Sequence, residues 1–138
     1  MNLATLRLTG NDSSLDEVVG KLQLAVSSRV KKGDPRRRGG VHASSALSAS
    51  IADAHSPGEM LGKVREFLAA CHAQGPKLFA NGVEAELSIG ITVGDSIQYV
   101  ASVDLSSSEI RELAALGLSL NFTAYPTSDD VNDPSDVK

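Results

Sequence analysis

The 138-residue sequence has no tryptophan, and only three phenylalanines and two tyrosines. A core must therefore be assembled from Leu, Val, Ile and Ala. One cysteine, Cys71, excludes an internal disulfide and suits a reducing compartment. No run approaches the ~20 apolar residues of a membrane span. The first twenty residues carry Arg7, Asp12, Asp16 and Glu17 instead of the apolar centre of a secretory signal. A cytoplasmic protein with no membrane partner is the expectation. No histidine follows His72, which removes the usual C-terminal base of a serine hydrolase.

What is present is ordinary for a globular chain. Hydrophobic residues make up 41% and charged residues 22%, too apolar a mixture for disorder. The length suits one domain, here residues 1–125, followed by an acidic, flexible tail over 126–138. The net charge is −4 but unevenly placed: Arg29, Lys31, Lys32, Arg36, Arg37 and Arg38 stand together against one acid, Asp34. An acidic body with one basic loop is not the pattern of a general nucleic-acid binder, which spreads Lys and Arg over a face. It suits a basic protein partner drawn in by long-range attraction.

Periodicity supplies the elements. Leu3–Leu8 reads as a strand with Leu6 and Leu8 on one side and Arg7 on the other. Leu15, Val18, Val19 and Leu22 form a helical stripe, opened by a capping box of Ser14 with Glu17. Val26–Lys32 reads as a second strand, and the Ser- and Ala-rich stretch Val41–Ile51 as a third, at a sheet edge. Ser56-Pro57-Gly58-Glu59 caps a longer helix with the stripe Leu61, Val64, Leu68 and Cys71, widened by Met60 and Phe67 and ended by Gly75-Pro76. Val83–Val93 alternates cleanly. Gly94-Asp95-Ser96 then reads as a hairpin turn into a strand with Ile97, Tyr99, Ala101 and Val103 inward. Ser106 with Glu109 opens a third helix, whose Ile110, Leu113, Ala114 and Leu116 face inward up to Gly117, and Leu118–Ala124 is the last strand. These elements predict an α+β fold: a single two-layer domain, with a mainly antiparallel sheet of about five strands and two or three helices on one face.

The chemical motifs have plainer explanations. Gly94-Asp95-Ser96 resembles a nucleophile block but suffices as a turn. Gly58–Lys63 has too short a gap for a phosphate loop and lies inside a helix. Cys71 and His72 are sequence neighbours, about 100° apart on a helix, and His42 and His55 lack ligand spacing. Asp129, Asp130, Asp133 and Asp136 lack the glycine and bidentate glutamate of a calcium loop. No cofactor, metal or catalytic residue is expected, and the chain is read as a non-enzyme.

Two surfaces remain as partner-binding candidates. One is the basic loop with Arg36, Arg37 and Arg38, whose plain alternative is a solvated, mobile linker. The other is the polar sheet face, with Glu84, Glu86, Gln98, Asp104, Asn121 and Thr123 opposite the core positions, whose alternative is simply the wet side of a two-layer fold.

Three segments, Ala4–Gly10, Lys32-Gly33-Asp34-Pro35-Arg36-Arg37 and Leu113–Phe122, resemble in their order a bacterial family of small domains of unknown function. Its pattern is an opening strand ending in Gly, a Lys-Gly-Asp turn, and a Leu-Gly-Leu-Ser-Leu passage ending in an aromatic, here Tyr125. Family members usually carry a tryptophan soon after the basic turn, where this chain has Val41-His42. The family has no established catalytic residues, and it is of a kind associated with toxin neighbourhoods. Together with the compact acidic domain and the lack of catalytic groups, the resemblance points to an immunity protein that occludes a cognate toxin domain, such as a nuclease; a monomer or weak homodimer is the expected state. The alternative is a non-catalytic module gripping a phosphate-bearing ligand or RNA with the basic loop.

Overall fold

The computed structural model describes residues 1–127. Its elements run β1 (Asn2–Gly10), α1 (Asp12–Leu22), β2 (Val26–Val30), β3 (Ser45–Ala54), α2 (Pro57–Gln74), β4 (Glu84–Val93), α3 (Ser107–Leu116) and β5 (Leu118–Pro126). The strands form one sheet in the order β2-β3-β1-β4-β5. Three pairings are antiparallel and the fourth, β4 with β5, is parallel. A parallel neighbour requires a crossover, and α3 is that crossover.

Alternation builds the buried face. Ala4, Leu6 and Leu8 of β1 stand beside Ile89, Leu87 and Ala85 of β4, and all six are buried. The α2 stripe covers them with Met60, Leu61, Val64, Phe67, Leu68 and Cys71, every one buried. At about 1.5–3 kcal/mol per large side chain, this layer is the main source of stability. The two-layer α+β fold read from the pattern is the one observed.

Four local expectations are corrected. Helix α1 begins a turn earlier than a Ser14 cap would allow. Asn11 is the cap, its Oδ1 accepting from Ser14 N at 2.8 Å, while Glu17 pairs with Lys21 at 2.8 Å one turn on. The Ser14 hydroxyl donates instead to the Asn81 carbonyl. Strand β3 is not at an edge but lies between β2 and β1. Its register slips where Ala4 and Thr5 face Ala52 and Ser50, so Ala49 and Ala52, three residues apart, both reach the core.

The hairpin expected after β4 does not form. Residues 94–106 are a loop leading to α3, and the chain returns to β4 only as β5. Lastly, Ile110 is half exposed instead of inward; Leu113 and Leu116 supply the buried side of α3. At the C-terminal end, Thr127 N still donates to the Val93 carbonyl at 2.7 Å. The rest of the expected acidic tail, with Asp129, Asp130, Asp133 and Asp136, lies outside the described residues.

Candidate functional site

Among the described residues, three surfaces meet solvent without a covering layer. The first is the arm between β2 and β3. Gly33 N donates to the His42 carbonyl and His42 N to the Asp34 carbonyl, both at 2.9 Å, and Pro35 bridges Val41. At the tip, Gly39 N donates to the Arg36 carbonyl and Arg36 N to the Gly40 carbonyl. That is a three-residue hairpin loop whose third residue, Gly39, has φ 95°, a left-handed position that suits glycine. The basic segment is thus built as a hairpin arm held by its own backbone hydrogen bonds. It presents Arg36, Arg37 and Arg38 exposed, with no ion pair among the described residues.

Arg29 belongs to a different structure. Its guanidinium reaches α1, 2.6 Å from Asp16 and 3.2 Å from Asp12. These contacts raise the pKa of Arg29 and lower that of Asp12, for which the Arg29 hydrogen bond is the chief cause. Arg29 fastens β2 to α1 and is not part of the free charge.

The second surface is the sheet face opposite the helices. Thr9 pairs with Glu84, Arg7 with Glu86 and Thr5 with Ser88; Ser88 in turn pairs with Asn121 and Gly90 with Thr123. Glu84, Glu86, Asn121 and Thr123 therefore share this face, as their alternation predicts. Arg7 stands among them with its guanidinium 3.9 Å from Glu86, so the face is polar and of mixed charge, not an acidic patch.

Asp104 and Gln98 are not on it. Asp104 precedes α3, and its carbonyl accepts from Arg65. Gln98 turns back over the sheet end and donates to the Asn2 Oδ1 at 2.9 Å and the Thr92 carbonyl at 2.6 Å. Asn2 is fully buried and donates in turn to the Ala54 carbonyl.

The third surface was hidden from sequence reasoning. Asp95 Oδ1 accepts from Ile97 N at 3.1 Å and Gln98 N at 2.6 Å, and Gly94 N donates to the Gln98 carbonyl at 3.0 Å. This closed loop points its apolar side chains away from the core: Ile97 is 91% exposed, Tyr99 74% and Val100 77%. The Asp that directly follows Gly94 was the available signal, since such a side chain captures backbone N–H groups two and three positions on and ends a strand.

A groove between α2 and α3 is lined by His72, Ser108 and Glu112, but no hydrogen bond joins these three. Its firm feature is structural. Glu109 closes the α3 capping box on Ser106 and takes Arg65 Nε at 2.8 Å, which together hold its carboxyl down to about 2, Arg65 contributing most. Among the described residues, no three His, Cys, Asp or Glu are placed to share a metal, and no helix is long and apolar enough to cross a membrane.

These features define a small α+β domain that presents built loops and an open sheet face. The family model for the domain of unknown function DUF4279 matches residues 1–127, and the chain belongs to that family. No curated protein and no solved structure matches it.

Proposed function

We propose that this domain is an immunity protein, which binds a cognate bacterial toxin domain and blocks it by covering its working surface. The observation that carries the reading is the crossover loop. Leaving Ile97, Tyr99 and Val100 in water is unfavourable, and contiguous exposed apolar groups mark sites of association. The loop is also pinned by its own hydrogen bonds, so little ordering cost remains to be met on binding. Large side chains presented in this way act as interface anchors.

The open face adds area. Four strands of nine or ten residues and the five-residue β2, at about 3.3 Å per residue and about 4.8 Å apart, span roughly 700 Å², close to the ~800 Å² that each partner buries in a standard interface. Glu84, Glu86 and Asn121 would form polar contacts there, and the acidic balance of the chain would speed approach to a basic toxin.

The test is capture from extracts of the native host, comparing the parent chain with an Ile97→Asp, Tyr99→Ala, Val100→Asp variant. The expected outcome is that the parent recovers a toxin domain and inhibits it, while the variant does neither. Recovery of no toxin domain, or full inhibition by the variant, refutes the proposal.

The hairpin arm with its three exposed arginines supports a second reading, a binding module for a phosphate-bearing ligand or RNA. Three arginines reading three phosphates of a single strand would give a salt slope of about −2 in log K against log salt. Reversing Arg36, Arg37 and Arg38 to Glu would abolish such binding. Toxin inhibition that survives this reversal favours the first reading.

A further inference from the structure

The two edges of the sheet are treated differently. The β2 edge is five residues long, its register slips between Val26 and Ser28, and it runs on into the arginine arm. Short length, irregular register and charge all discourage another strand from adding to it. The β5 edge has none of these protections. Its nine residues, Leu118–Pro126, pair with β4 on one side and have no neighbour on the other among the described residues. No residue in β5 is charged, and proline occurs only at its last position. Leu120 and Phe122 face the helix side, in register with Leu87 and Ile89, yet Leu120 is 42% and Phe122 45% exposed because the core does not extend to cover them.

We propose that β5 is a dimer edge, on which two copies of this chain pair antiparallel, Phe122 against the partner's Phe122, to form one ten-stranded sheet. The occupant follows from the strand itself. Phe122 is the middle residue of nine, so a twofold axis there pairs β5 along its full length. Directly opposed residues in an antiparallel pair share a face. On the helix side, Leu120 then meets the partner's Ala124, and the two Phe122 rings meet each other. On the open side, Asn121 meets the partner's Thr123, and Ser119 meets the partner's Tyr125. Apolar positions thus meet apolar ones, and polar positions meet residues able to hydrogen-bond. A strand without charge incurs no like-charge repulsion against its own copy, which a charged edge would. With Leu118 and Pro126 closing the ends, every residue of the strand has a counterpart.

Sedimentation of the parent chain from about 1 µM to about 500 µM reads the equilibrium directly, because dimerisation follows mass action. The expected result is a concentration-dependent dimer. Phe122→Lys, which sets two ammonium groups side by side at the axis, should weaken it at least tenfold. Phe122 is half exposed, so the lysine reaches solvent in the monomer, and unchanged urea unfolding of this variant at low concentration confirms that only pairing was lost.

Register is read by cross-linking. Phe122→Cys should form a covalent dimer under mild oxidation, whereas Ser119→Cys, opposite the partner's Tyr125, should not. Cys71 is buried and its thiol pushed up to about 12, so it adds no background. A chain that stays monomeric throughout, a dimer indifferent to Phe122→Lys, or cross-linking through Ser119→Cys but not Phe122→Cys overturns the proposal. So does β5 pairing with a strand of another protein in place of a second copy.

Discussion

Gly94 should be the least replaceable glycine in the chain, because two separate costs fall on any side chain placed there. Its φ is 108°, where an L-residue is strained by about 1–3 kcal/mol. A Cβ at this position would also sit 2.5 Å from the Thr127 carbonyl oxygen. Thr127 cannot simply withdraw, because its N–H donates to Val93 at 2.7 Å, and losing that bond costs about 1 kcal/mol more. Gly94→Ala should therefore destabilise the fold by about 2–4 kcal/mol. With a urea m-value of about 2 kcal/mol per molar, the midpoint should fall by about 1–2 M.

The control is Gly62→Ala. Gly62 lies inside α2 with nothing within 4 Å of the new methyl, so helix propensity alone should stabilise by up to about 1 kcal/mol. Urea titration followed by circular dichroism measures both. A Gly94→Ala midpoint within experimental error of the parent, or equal losses at the two glycines, would refute the reasoning that this loop is rigidly built.

Other outcomes follow from the same structure. Glu109→Gln keeps part of the cap but loses the charge held by Arg65, and should cost about 1 kcal/mol once solvent screening of the half-exposed arginine is allowed for. Because the folded pKa of Glu109 is depressed to about 2, its contribution is complete above about 4.5 and is lost as pH falls toward 2. Acid titration of the parent and the Gln variant should therefore converge at the low end of that window; parallel curves throughout would refute the assignment. Cys71 should resist thiol reagents at pH 8 in the native state and react on unfolding, as absorbance with a chromogenic disulfide would show. Leu87→Ala, at a fully buried site facing Leu6, should lose about 2–5 kcal/mol by thermal or urea unfolding.

The parts legible in the sequence are those where side-chain period and burial agree. Every member of the α2 stripe from Met60 to Cys71 is buried, and β4 alternates from Ala85 to Ile91 as its pattern implies. That same alternation placed Glu84, Glu86 and Asn121 on the open face. Strand β3 was harder to read because its bulge breaks the period, and its small Ala and Ser residues mark the faces faintly.

The segment from Ile97 to Val103 is the instructive failure. It has a strand's period, but the hydrogen bonds that the Asp95 carboxylate accepts and the Gln98 amide donates decide its path, and periodicity does not record them. Asp104 was assigned to the sheet face by extending that false strand. The arginines of the arm were visible as charge, whereas the hairpin that presents them depends on backbone bonds from Gly33 and His42.

The most direct measurement is the affinity of the purified chain for the toxin domain it recovers, set against the Ile97→Asp, Tyr99→Ala, Val100→Asp variant by calorimetry. Loss of three anchors at about 1–2 kcal/mol or more each should weaken binding by at least 100-fold while leaving the urea midpoint in place. Equal affinity for the two chains, or no toxin domain that binds either, would contradict the account.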